Sequence, residues 1–151
     1  MKKPFISLIA FLAFNFSYAQ IDETNSEYSV ESIGKISTLY KFVELTKQVI
    51  NDENIYNFKY QNLEFPQMKD MINVRFAATD EELNEMYNKI LMSSKMKKND
   101  PIRYIDLPKG RMGLTRLSSG QIKILYTSQG SNEVKWTWLS KGQLRKVFGK
   151  N

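Results

Sequence analysis

Tyr56, Phe58 and Tyr60 alternate with Asn57, Lys59 and Gln61, and Ile72, Val74 and Phe76 alternate with Asn73 and Arg75. A period of two places each apolar set on one face of a strand and leaves the other face wet. Leu39, Val43, Leu45 and Val49 fit the odd face of an earlier strand, while Ile36, Tyr40, Val43 and Ile50 fit a helix. The turn-rich Asn51-Asp52-Glu53-Asn54 favours the strand, because it makes a hairpin with residues 56–60. The period then lengthens: Leu83, Met86, Tyr87, Ile90 and Leu91 recur at helical spacing behind Thr79-Asp80-Glu81-Glu82. In that tetrad the Thr79 hydroxyl can accept from the third helical amide while Glu82 reaches back to the cap amide. The three acids also suit the positive end of the helix dipole.

Beyond the polar residues 95–100 the pattern predicts a β-meander. Its strands are 102–107, 111–117 and 121–127, separated by Pro108-Lys109-Gly110 and Ser118-Ser119-Gly120. Val134, Trp136 and Trp138 share one face of a last strand. Ser140-Lys141-Gly142-Gln143 is a second capping box, and Leu144, Val147 and Phe148 form a short apolar stripe ended by Gly149. The expected fold is α+β: one antiparallel sheet of about six or seven strands, in the order β-β-β-α-β-β-β-β-α, with a mid-chain helix and a short C-terminal helix. Tryptophans at strand spacing are expected to turn into the core, which would leave Lys123 and Lys135 on the opposite, solvent face.

The WLSKGQLRKVFGK ending, the FVEL to YNFKY hairpin and the capped amphipathic helix resemble a loose group of small exported bacterial proteins of uncharacterised function. The resemblance implies an α+β domain and brings no activity, cofactor or catalytic residue with it.

Composition adds a compartment. Lys2 and Lys3, the apolar run from Phe5 to Phe16 and Ser17-Tyr18-Ala19 have the form of a secretory signal peptide, residues 1–19. The run is shorter than the roughly twenty residues a membrane span needs, so no transmembrane segment is expected after cleavage. Residues 20–35 are polar and acidic, a mobile lead-in, and residues 36–151 make a single α+β domain large enough for a real core. The sequence shows no internal repeat. With no cysteine, stability must come from packing, and a bacterial periplasmic or secreted location is expected.

The chain has no histidine either, which removes the usual general base, thiol nucleophiles and the His or Cys metal sites; no cofactor is expected. Ser94-Lys95-Met96-Lys97 has the Ser-x-x-Lys spacing of penicillin-recognising enzymes but lacks their companion motifs. A carboxylate-dependent hydrolase built on Asp106, Asp80 and Glu85 is the weakest functional reading, so no catalytic residue is assigned and an enzyme is not expected.

Charge says more than motif. Residues 20–92 carry thirteen acids against seven bases, and residues 93–151 carry three acids against thirteen bases. The asymmetry has two explanations: the halves neutralise each other, or the second half presents a basic face. The candidate binding residues are Lys123, Lys135, Arg116, Arg111, Trp136 and Trp138. The leading reading is an exported non-catalytic module that binds an acidic protein or an anionic envelope polymer, in the manner of an inhibitor or immunity protein. The alternative is a carbohydrate or envelope-polymer binder using aromatic platforms, Trp136 and Trp138 with Tyr56, Phe58 and Tyr60. Nucleic acid is disfavoured, because bases and rings on opposite sheet faces cannot interleave.

Overall fold

A computed structural model describes residues 29–150; the expected signal peptide and residues 20–28 of the lead-in lie outside them. The elements are β1 (Glu31–Ser37), β2 (Phe42–Ile50), β3 (Glu53–Gln61), β4 (Met71–Ala77), α1 (Asp80–Met92), β5 (Arg103–Leu107), β6 (Gly110–Arg116), β7 (Ile122–Ser128), β8 (Lys135–Leu139) and α2 (Lys141–Val147). The α+β class and both helices are as expected. The single sheet of six or seven strands is not: eight strands form two four-stranded antiparallel meanders, β1-β2-β3-β4 and β5-β6-β7-β8. Helix α1 and the connection after it separate β4 from β5, and pairing does not resume across that gap.

The added strand is β1, which begins inside the stretch read as a mobile lead-in. Only its Ile36 is buried, and the register shifts between Ser32 and Gly34, so neither hydrophobicity nor a period of two marks it. Strand β2 starts at Phe42 rather than Leu39, because residues 38–41 make the turn from β1 and leave Leu39 81% exposed.

The inner face of the first sheet is Ile36, Val43, Leu45, Tyr56, Phe58, Tyr60, Ile72, Val74 and Phe76, aligned in rows by the ladders. That of the second is Met112, Leu114, Ile122, Ile124 and Leu139. Both belong to one hydrophobic cluster with Met86, Tyr87 and Ile90 of α1 and Leu144, Val147 and Phe148 near α2. Strand β4 crosses the second sheet: Met71 and Ile72 share a cleft with Tyr126 of β7, and Phe76 and Ala77 share another with Ile105 and Leu107 of β5.

Both capping boxes form, at Thr79 with Glu82 and at Ser140 with Gln143. Asp80, the first residue of α1, also accepts from the Tyr56 hydroxyl and from Lys47 Nζ at 3.0 Å, which pins the helix start to β2 and β3. These two donors hold the Asp80 carboxyl below the usual range, the Tyr56 bond first.

The sheets join along the free edge of β8. Leu63 N–H donates to the Trp136 carbonyl at 2.8 Å, and Trp136 N–H donates to Asn62 Oδ1 at 3.1 Å. Asn62, 2% exposed, also donates through Nδ2 to Asp70 Oδ2 at 3.1 Å. The Tyr60 hydroxyl donates to the Lys135 carbonyl at 3.0 Å. The outward N–H and C=O of Trp136, in the middle of that edge, are thereby satisfied by the loop after β3.

Gly34 explains how α2 reaches β1. A Cβ there would lie 2.0 Å from the Lys146 carbonyl oxygen and 2.6 Å from that of Val147, both backbone atoms. Gly34→Ala is therefore expected to destabilise the fold by at least about 2 kcal/mol, the upper part of the range for overpacking, as read from urea unfolding. Thr137 provides the opposite case: it is fully buried and its hydroxyl has no partner among the described residues. Thr137→Val should raise stability by about 1 kcal/mol, since an apolar group of the same shape removes an unsatisfied donor.

Candidate functional site

Register decides which groups share a face. Lys123 lies opposite Trp138, Leu125 opposite Trp136, and Arg111 between Asp106 and Thr127. These positions have the parity opposite to Ile122, Ile124, Met112 and Leu114, so they form the outer face of the second sheet. The expectation that the tryptophans line the core is corrected here. In β8 the core face is carried by Thr137 and Leu139, both fully buried, and the rings of Trp136 and Trp138 are half-buried on the other side. Lys123 consequently shares the tryptophans' face, and the basis for separating basic from aromatic groups falls away.

Three cations sit over three rings on this face. Lys123 Nζ lies 4.3 Å from the centroid of Trp136, Lys41 Nζ 3.4 Å from that of Trp138, and the Arg111 guanidinium carbon 4.8 Å from that of Tyr104. Such contacts stabilise by roughly 0.5–2 kcal/mol, more when desolvated. Between the rings the row Trp136, Leu125, Gly113, Tyr104 runs across all four strands, a span of about 14 Å at ~4.8 Å per strand. Gly113 keeps the row continuous, because its missing side chain is covered by Ile102, Tyr104 and Leu125. Beyond Tyr104 and Arg111 lies an open depression of about 470 Å³ reaching to Thr127 and Gln129.

Four of the six candidate residues, Arg111, Lys123, Trp136 and Trp138, are thus brought together. The other two are not. Lys135 has core-face parity and is held by Asp70 at 3.2 Å, with Glu133 at 3.8 Å; the Asp70 carboxyl is held below its usual range by Asn62 and then by Lys135. Arg116 also has core-face parity and donates to the Met96 carbonyl at 3.2 Å, tying down the chain after α1. Tyr56, Phe58 and Tyr60, considered as a sugar platform, are core residues at 0–2% exposure.

Lys41 was not singled out from the sequence, although a lysine between Tyr40 and Phe42 interrupts an apolar run. It is 5% exposed, and its ammonium donates to Gln143 Oε1 at 2.8 Å and to the Trp138 carbonyl at 3.3 Å. No carboxylate pairs with it among the described residues. Burial pushes its pKa down to about 8.

The acids weighed for hydrolysis are partly dispersed. Asp80 is engaged by Tyr56 and Lys47, whereas Glu85 and Asp106 line one cleft of about 290 Å³ between α1 and β5. Asp106 pairs with Arg111 at 3.0 Å. Among the described residues no cluster of three potential metal ligands occurs, and no helix is long and apolar enough to cross a membrane. No protein-family model, curated protein or solved structure matches this chain.

The charge split of the sequence falls at the end of α1, so it coincides with the division into two meanders. Of the four ion pairs among the described residues, Lys135–Asp70 alone links the two halves. Neutralisation across the junction therefore leaves most of the second half's bases without a close carboxylate.

Lys41 makes stability depend on pH with a definite sign. The unfolded lysine keeps its proton to about 10.5, so between pH 8 and 10 the unfolded state binds more protons and stability rises with pH. Tyr56, raised to about 12, and Tyr60 and Tyr126, both raised by burial, act the other way from about pH 9 upward, where the unfolded phenols ionise first. The difference between the protein and Lys41→Met in chemical denaturation should change by about 2 kcal/mol in the protein's favour from pH 8 to 10, the phenols being common to both. An unchanged slope in that variant would show that Lys41 is not its source.

Proposed function

We propose that the protein is an exported, non-catalytic binding module that engages an acidic macromolecular partner through the outer face of its second sheet. The observation that carries this reading is the row from Trp136 to Tyr104 with Lys123 and Arg111 over its end rings, on the half of the molecule whose bases are largely uncompensated. An acidic protein or an anionic envelope polymer fits such a face by charge, and the apolar row supplies contact area beneath the charges. An inhibitor or immunity protein is one form such a module takes.

The aromatic-platform reading is second. Sugar stacking, like base stacking, needs free ring faces, and those of Trp136 and Trp138 are approached by Lys123 and Lys41. Tyr104, 55% exposed, is the ring of the row most open to a ligand.

Tryptophan fluorescence reports directly on this face, because both tryptophans lie on it. Titration with polyglutamate at about 50 mM salt should shift the emission, and binding should weaken steeply with salt. Lys123→Glu with Arg111→Glu should cost at least about tenfold in affinity, the equivalent of 1.4 kcal/mol. Arg145→Glu with Lys146→Glu, an equal change of charge on the exposed side of α2, should cost less than twofold. Equal losses from both charge reversals would mean that only net charge matters, and the assignment to this face would fall.

A further inference from the structure

Strand β5 pairs with β6 on one side and, among the described residues, with no strand on the other. Its hairpin to β6 closes through the two-residue turn Pro108-Lys109, which makes Leu107 and Gly110 a hydrogen-bonded pair. Pairs alternate from there, so Arg103 and Ile105 bond to β6 while the N–H and C=O groups of Tyr104 and Asp106 point out of the sheet. No other backbone hydrogen bond among the described residues takes these groups up. Pro101 and Pro108 bracket the strand, and proline cannot donate to a ladder, so extension is confined to this short window.

Helix α1 runs beside that edge. A groove of about 310 Å³ lies between Lys89 and Met92 of the helix and Arg103, Tyr104 and Ile105 of the strand, with Leu114 as its floor. Met92 is 48% and Tyr104 55% exposed. The two cations on the rim, Lys89 and Arg103, take part in no ion pair among the described residues. A strand added here would point alternate side chains into the apolar groove, and its neighbours towards Tyr104 and Arg111 on the outer face.

We propose that the free edge of β5 and the adjoining α1 groove accept an extended peptide segment of the partner, in which apolar and acidic residues alternate. The main chain adds a fifth strand to the second sheet, the apolar side chains enter the groove, the acidic ones face Arg111 on the outer face, and Lys89 and Arg103 on the groove rim add to the positive field that the segment meets. This is recognition by strand addition. It rests on the reading of the molecule as a binder of an acidic partner, and it names a second contact beside the outer face.

The probe is the heptapeptide Glu-Val-Glu-Val-Glu-Val-Glu, added to the isotopically labelled protein and followed by amide hydrogen exchange. The Tyr104 and Asp106 amides should exchange at least tenfold more slowly with the peptide, and should be unaffected by the same peptide N-methylated at alternate amides. Lys89→Glu should weaken the peptide at least fivefold while leaving the polyglutamate fluorescence response intact. Tyr104→Pro, which removes the donor, should abolish protection at Asp106, with its folding checked by its unfolding transition.

If polyglutamate shifts the tryptophan emission but the peptide protects neither amide, the edge proposal is overturned and the outer-face reading stands. Protection without a polyglutamate response upholds the edge and removes the outer face. Binding of the N-methylated peptide with equal affinity overturns strand addition. Slow exchange at both amides without peptide, in a protein of dimeric mass, overturns the proposal in favour of a second copy of this chain.

Discussion

The free edge of β8 is the constraint on which the rest of the molecule depends. β8 pairs with β7 on one side, and on the other the outward N–H and C=O of Trp136 would be left without partners if the second meander stood alone; the loop that leaves β3 supplies them through Leu63 and Asn62. That contact sets how the two sheets lie against each other. It also places the Tyr60 hydroxyl on the Lys135 carbonyl and Asp70 beside Lys135. With the edge covered, Lys41 is carried by the β1–β2 turn onto the Trp138 ring, and α2 leaves β8 in position to pack on Gly34. Asn62 concentrates this dependence, since one buried amide serves two chain segments at once.

Much of the fold was legible because the elements concerned have strong local signals. The alternations at residues 56–60 and 72–76, the two capping boxes and the Gly149 stop, with φ of 63°, all lie where their patterns predict. Strand β1 was not legible: it is a polar edge strand with a register shift, and it is held by α2 from far along the chain rather than by its own alternation. Nor could the division into two sheets be read, because local periodicity is silent on whether β4 pairs with β5.

The site was half legible, for a related reason. Residue types were enough to single out Arg111, Lys123, Trp136 and Trp138, but facing was assigned by hydrophobicity, and the two large rings outweighed the small Thr137 between them. Register overrules that weighting: Thr137 lies opposite Ile124 and Leu139 opposite Ile122, so the core face of β8 follows its neighbour's isoleucines. Lys41 was invisible as a buried charge, because what buries it is β8 and the start of α2, from the other half of the chain. Tertiary contact, rather than sequence spacing, creates both features.

The order of elements is the same in each half, four meandering strands and then a capped helix, although no sequence repeat accompanies it. Every ladder therefore joins strands that are neighbours along the chain, and closing such short loops costs little entropy. Each meander is a local folding unit with low contact order, of the kind that forms quickly. The contact between Asn62 and Trp136 spans 74 positions, so its closure costs more chain entropy than any rung of either ladder. The environment of Lys41 likewise exists only where the two halves meet, through Trp138 and Gln143, 97 and 102 positions away.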